Sequence, residues 1–164
     1  MGLMIRAATE EDAAAIAAIY APYVEASTVT FELEAPDAAT MARRMAEIQT
    51  RGLPYLVADE DGVVAAYAYA GPYRPRAAYR FTVEDSIYVR EQYARRGLGR
   101  QLLIALIEQC RAAGCHRMVA GMGGENEASI ALHAALGFVR VGVLREVGYK
   151  FDQWVDVTLM QRGL

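Results

Sequence analysis

Apolar positions along the chain switch between a period of two and a period of three to four, and the switches divide it into elements. Leu3–Ala7 reads as a short strand. Thr9 then offers a helix cap with Asp12 at the capping-box position, and Ile16, Ile19, Tyr20 and Tyr23 recur at helical spacing. Residues 27–34 form a polar and aromatic connection. Pro36-Asp37 opens a second helix with Met41, Met45 and Ile48 on one face, and Gly52 ends it. From Leu53 the period shortens. Residues 55–58 predict a strand, Asp59-Glu60-Asp61-Gly62 a hairpin turn, and residues 63–70 the return strand. A loop follows at 71–76, then a third strand over 80–89. Leu102, Leu103, Leu106, Ile107 and Cys110 form the stripe of a long helix after Gly99, closed by Gly114. Residues 116–120 predict a strand, Asn126 caps a short helix through Leu136, and residues 138–144 and 154–160 predict a final antiparallel pair.

The order β-α-α-β-β-β-α-β-α-β-β predicts an α/β fold: a mixed, mostly antiparallel sheet with helices on both faces. The strand–helix–strand over 80–120 predicts a right-handed crossover between parallel strands. No repeat or linker interrupts the pattern, so residues 1–164 are expected to form one domain.

Composition narrows the function classes. With 54% apolar and 23% charged residues the chain can bury a core. A net charge of −3 gives no reason to expect nucleic acid or a membrane as partner. The arginines crowd the middle, however: Arg74, Arg76, Arg80, Arg90, Arg95, Arg96 and Arg100. A local basic patch on a mildly acidic chain suits a small anion. Cys110 and Cys115 make neither a disulfide scaffold nor a zinc site and read as reduced thiols, so a cytoplasmic protein without a metal is expected. Residues 1–5 are too short for a signal peptide, and no apolar run reaches membrane-spanning length.

Glu84-Asp85-Ser86-Ile87-Tyr88-Val89, then Arg95-Arg96-Gly97-Leu98-Gly99-Arg100, places a strand, a basic glycine loop and a helix start in succession. Glycines admit a phosphate close to the backbone, and free N–H groups of the helix N-terminus point at it. A nucleotide P-loop is excluded, because no Gly-Lys-Ser/Thr follows. A dinucleotide loop is disfavoured, because Leu102 occupies the third glycine position.

The run Ser86-Ile87-Tyr88-Val89, the Arg95-Arg96-Gly97-Leu98-Gly99 loop and Asn126-x-x-Ser129-x-x-Leu132-His133-x-x-Leu136-Gly137-Phe138 together resemble the GCN5-related N-acetyltransferases. Within them, Ala70-Gly71-Pro72-Tyr73-Arg74, Tyr79-Arg80-Phe81-Thr82-Val83-Glu84, Thr30-Phe31-Glu32 and Gly148-Tyr149-Lys150-Phe151 resemble the phosphinothricin and methionine sulfoximine acetyltransferases. The resemblance implies acetyl-coenzyme A as cosubstrate, a small amino-acid analogue as amine, and a homodimer. It places the coenzyme on Ile87, Tyr88 and Val89, on Arg95, Arg96, Gly97, Leu98, Gly99 and Arg100, and on Asn126 and Ser129. One position departs from the family pattern: Ala94, three residues before the first loop glycine, stands where Gln or Arg is usual.

Amide formation from a thioester needs a neutral amine and hence a base. The resemblance implies Glu84, and Asp85 is a rival if a bulge exchanges the two strand faces. Backbone N–H groups over 87–89 are expected to stabilise the thioester oxygen. His133 stands where the family often has Tyr and is expected near the departing sulfur. Arg74, Arg76 and Arg80 suit a substrate carboxylate or phosphinate, with Phe31 and Tyr79 as walls. Tyr149 and Trp154 read as core or dimer contacts. A protein N-terminal acetyltransferase and a non-catalytic acyl-coenzyme A sensor are the competing functions.

Overall fold

The computed structural model describes residues 2–164. Seven strands form one sheet: β1 (Leu3–Ala7), β2 (Tyr55–Glu60), β3 (Val63–Pro72), β4 (Thr82–Val89), β5 (Arg117–Gly123), β6 (Val139–Lys150) and β7 (Gln153–Gly163). Four helices flank it: α1 (Ala13–Ala26), α2 (Ala38–Thr50), α3 (Leu98–Ala112) and α4 (Glu127–Ala135). The spatial order is β1-β2-β3-β4-β5-β7-β6, and every pair is antiparallel except β4–β5. This is the predicted element order and a mixed sheet.

Side-chain alternation sorts the core into two layers. On one face Tyr55, Val57 and Tyr67 pack with Ile16, Ile19, Tyr20, Met41 and Met45 of α1 and α2. On the other, Leu56, Ala58, Val83, Met118 and Ala120 pack under Leu102, Leu103 and Leu106 of α3. Burying each such leucine contributes about 1.5–3 kcal/mol, so α3 is fixed firmly to the sheet.

The predicted Thr9–Asp12 capping box and Asn126 cap form, and Asp37, expected to open α2, caps it as well. The Asp12 carboxylate accepts from the Thr9 N–H at 2.8 Å, and the Asp37 side chain accepts from the Thr40 N–H at 2.8 Å. Several boundaries differ: β2 runs on to Glu60, so the turn narrows to Asp61-Gly62, and β3 and β5 run on to Pro72 and Gly123. Strand β4 starts at Thr82, and a short 3-10 turn at Ala77–Tyr79 leaves Arg80 outside it. The last hairpin is much longer than predicted, closing at Phe151 and Asp152 with φ of 55° and 57°. Two left-handed residues suit a tight hairpin turn, but neither is the Gly or Asn that advertises one.

The feature that builds a site is a splay. Strand β4 pairs with β3 along its whole length, from Pro72↔Val83 to Ala66↔Val89. With β5 it pairs only over Thr82↔Arg117, Val83↔Met118 and Glu84↔Val119. Beyond Glu84 the two parallel strands part.

Candidate active site

Along β4 the backbone polar groups point alternately to β3 and away from it. The phase is visible at three places. The Arg90 N–H donates to Ala65 O, Thr82 O accepts from the Tyr73 N–H, and Phe81 O accepts from the His116 N–H on the β5 side. Even-numbered residues therefore bond to β3, and Asp85, Ile87 and Val89 turn their N–H and C=O groups toward the splay. Val89 is already engaged, since Tyr23 of α1 donates to its C=O at 2.6 Å and its N–H reaches the Tyr23 hydroxyl at 3.3 Å. Of the amides expected over 87–89, Ile87 is the one left facing the splay. The Tyr88 amide belongs to the ladder.

One end of the splay is closed by the glycine loop. Arg95 and Gly97 both hold left-handed conformations, with φ of 60° and 79°. This folds the loop onto the start of α3, whose Leu98, Gly99 and Arg100 N–H groups have no partner within the helix. Gly97 is needed there because a side chain strains that backbone. Asn126 caps α4 by accepting from the Ser129 N–H at 3.3 Å, and its side chain also faces the gap. Between these elements lies a cleft of about 460 Å³. Ile87, Tyr88, Val89, Arg95, Gly97, Leu98, Gly99, Arg100, Asn126, Ser129 and His133 line it. Arg96 does not; it turns away to an ion pair with Glu60 and over the Tyr93 ring. Tyr23, Gly121 and Met122 also line the cleft. Sequence reasoning missed them because their side chains or bare backbone are shaped by neighbours, not by a motif.

Glu84 and Asp85 lie on opposite faces of β4. Glu84 Oε2 sits 3.3 Å from where a Cβ on Gly121 would be, so the glycine leaves its carboxylate room at the point of divergence. Burial first, and then the Asp85 charge, raise its affinity for a proton, against the opposing pull of the Arg74 guanidinium. Among the described residues no hydrogen bond donor reaches it. Asp85 points the other way and is 8% exposed, its Oδ2 2.7 Å from His133 Nε2. No bulge exchanges the two faces.

His133 is 3% exposed, and both ring nitrogens are committed: Nε2 to Asp85, and Nδ1 to the Ser129 carbonyl at 2.7 Å. This corrects the expectation of a sulfur contact, because no ring N–H is free to donate to a thiolate. Desolvation works against the imidazolium, but the Asp85 hydrogen bond and charge prevail and raise its pKa.

The expected amine-site residues are not gathered in one place. Arg74, Arg76, Tyr79 and Arg80 line a separate depression of about 950 Å³ with Arg51, which carried no sequence signal. Of these, Arg74 is close enough to act on Glu84, while the Arg80 guanidinium rests 4.5 Å from the centre of the Phe81 ring. Phe31 lies against β5 and β6, so tightly that a Cβ on Gly148 would come within 2.4 Å of its ring. Trp154 and Tyr149 are exposed at the last hairpin and are not core. The thiol of Cys110 is buried and pushed up to about 12, and burial raises that of Cys115 as well.

Residues 5–159 match the acetyltransferase (GNAT) domain. A phosphinothricin N-acetyltransferase of Alcaligenes faecalis is 48% identical, over 98% of this chain and 82% of its own length. An L-methionine sulfoximine/L-methionine sulfone acetyltransferase of Pseudomonas aeruginosa is 45% identical, over 100% of this chain and 96% of its own. The crystal structure of a Sinorhizobium meliloti phosphinothricin acetyltransferase in complex with AcCoA superposes with a TM-score of 0.96 at 42% identity, covering 100% of this chain and 89% of that one. With the splayed sheet, the glycine loop and the capped α4 all in place, the chain belongs to the GNAT acetyltransferase family and is an N-acetyltransferase.

Proposed function

We propose that the protein transfers the acetyl group of acetyl-coenzyme A to the α-amine of a small amino-acid analogue of the phosphinothricin, methionine sulfoximine or methionine sulfone type. The observation that carries this reading is the unpaired edge of β4 with an unpartnered, half-buried carboxylate at its root. The donor set of the cleft fits the coenzyme. Free amides at Leu98, Gly99 and Arg100, with the side chains of Arg95 and Arg100, suit a pyrophosphate. The outward groups of Asp85 and Ile87 suit an extended arm that adds to the edge as a strand does. When bound, the coenzyme supplies the acyl thioester. The Ile87 N–H stabilises charge on the thioester oxygen, and Asn126 and Ser129 border the same arm.

Glu84 takes the proton from the ammonium, directly or through one water. Its raised pKa, driven by burial and the neighbouring Asp85 charge, makes it a better base than an exposed glutamate. Neither thiol is a nucleophile, since both are held protonated, so attack is direct and within a ternary complex. Arg74 is the guanidinium placed to orient a substrate anion near Glu84. Arg76, Arg80 and Tyr79 form its approach, and Phe31 walls the opposite side.

The chain acts as one domain in a cytoplasmic homodimer. Val139, Val141, Val147, Tyr149, Phe151 and Trp154 are all exposed on the edge hairpin β6–β7, an apolar surface of the kind that partners cover. Sedimentation velocity is expected to give twice the chain mass, and Trp154→Lys to give a monomer. The activity itself is tested by thiol release from acetyl-coenzyme A across glutamate and methionine analogues. Release with phosphinothricin, methionine sulfoximine or methionine sulfone supports the reading, and release with none of them overturns it.

A further inference from the structure

The Ser129 carbonyl can only accept, so its 2.7 Å contact fixes the hydrogen on His133 Nδ1. The second contact, His133 Nε2 to Asp85 Oδ2 at 2.7 Å, then joins a lone pair to a carboxylate unless one more proton lies between them. The pair therefore holds that proton at the floor of the cleft. The Phe138 ring stands edge-on to His133, 4.8 Å away, and both residues are buried. The other oxygen, Asp85 Oδ1, is buried without a partner among the described residues. No other hydrogen bond joins α4 to β4 among the described residues.

We propose that Asp85 is a positioning residue: the proton it shares with His133 latches α4 onto β4, and acetyl-coenzyme A affinity depends on that proton. Helix α4 brings Asn126 and Ser129 to one side of the cleft, and β4 brings Ile87 to the other. Losing the proton sets two acceptors against each other at 2.7 Å and drives the walls apart. The proposal rests on acetyl-coenzyme A binding in this cleft, which the thiol-release assay tests separately.

The pH window follows from the direction of the shift. His133 is raised, so the latch is complete below the ordinary histidine value of about 6.5 and is lost as pH rises through the higher folded value. Other titratable groups around the pair do not imitate this. Cys110 of α3 is pushed up to about 12, Glu84 lies on the opposite strand face, and the one other histidine in the sequence, His116, sits at the other end of β4 with its N–H on Phe81 O.

The experiment is calorimetric titration of acetyl-coenzyme A into the full chain from pH 7 upward, with His133 followed by NMR. Wild type is expected to lose affinity about tenfold across the His133 titration, the size of an ordinary coupling between two sites. Asp85→Asn offers an N–H to a neutral His133 Nε2 and keeps the contact without the shared proton. Its affinity should be flat over the same range, while Asp85→Ala should bind weakly throughout. A wild-type affinity that stays constant while His133 titrates overturns the proposal. So does an Asp85→Asn variant that keeps the alkaline loss.

Discussion

Two carboxylates that are neighbours in sequence end in opposite surroundings. Glu84 faces the α1/α2 side of the sheet, beside the bare backbone of Gly121, and meets no hydrogen bond donor among the described residues. Asp85 faces the α3/α4 side, closed in among aliphatic residues, and is held by His133. Both are desolvated, yet among the described residues only the buried one is in contact with a cationic partner, while Glu84 feels the Arg74 charge at a distance. An ion pair in an apolar layer is costly to break and fixes geometry. A desolvated, unpaired carboxylate is poised to take a proton. The period-two alternation of one strand thus separates a structural charge from a chemical one, and the splay beyond Glu84 gives the chemical one access.

The sharpest way to break this contrast is Glu84→Gln. Turnover in the thiol-release assay is expected to fall about 10²–10⁴-fold, the usual worth of a general base, while acetyl-coenzyme A affinity holds. Unchanged turnover would remove Glu84 from the role. Stability moves the other way. A carboxylate whose folded pKa is raised contributes stability below its unfolded value of about 4.3 and loses it as pH rises through the folded value. The glutamine variant should therefore melt no lower than wild type at neutral pH.

The two layers can be set against each other directly. Leu103 is fully buried over the aliphatic face, and Leu103→Ala should destabilise by about 2–5 kcal/mol in denaturant unfolding. Tyr67 is equally buried in the tyrosine layer, but its hydroxyl makes no hydrogen bond among the described residues. Tyr67→Phe keeps the ring and its contacts with Tyr55, Tyr69 and Tyr88, so its cost should stay below about 1 kcal/mol. Equal losses would mean that the hydroxyl layer is as tightly specified as the aliphatic one.

Arg74 sharpens the contrast from outside. It opposes the rise in the Glu84 pKa, whereas burial and Asp85 drive it. Activity requires ionised Glu84, so the acid limb of the pH–rate profile should lie above the ordinary carboxylate range. Arg74→Met should move that limb further up, and a limb that moves down or stays would place the guanidinium elsewhere in the bound state.

Much of this was legible in the sequence because it rests on local rules. The element order, the Thr9–Asp12 box, the Asn126 cap, the glycine loop and the face separation of Glu84 and Asp85 follow from spacing alone. What was not legible depends on contacts distant in sequence. His133 looked like a donor to sulfur because its motif position was visible and its partner, 48 residues away, was not. Tyr23 occupies the Val89 amide across 66 residues. The Phe151-Asp152 turn sets Phe151, a bulky residue rarely left-handed, beside Asp152, so no Asn-Gly or Asp-Gly pair marks the end of the long last hairpin.

The smallest expected effect concerns Arg96, one of three arginines that looked equivalent around the glycine loop. Arg95 and Arg100 line the cleft, but Arg96 leaves it for Glu60 and the Tyr93 ring. Its side chain is 49% exposed, so the ion pair is screened and worth at most about 1 kcal/mol. Arg96→Ala should therefore change acetyl-coenzyme A affinity less than about twofold, and should not alter how that affinity responds to salt. Arg100→Ala removes a charge facing the cleft, so it should weaken binding more and reduce the salt dependence, because one fewer cation meets the bound anion. Equal losses in the two variants would show that Arg96 abandons Glu60 when the coenzyme binds, and the loop would then supply its charge by rearrangement instead of by the placement seen here.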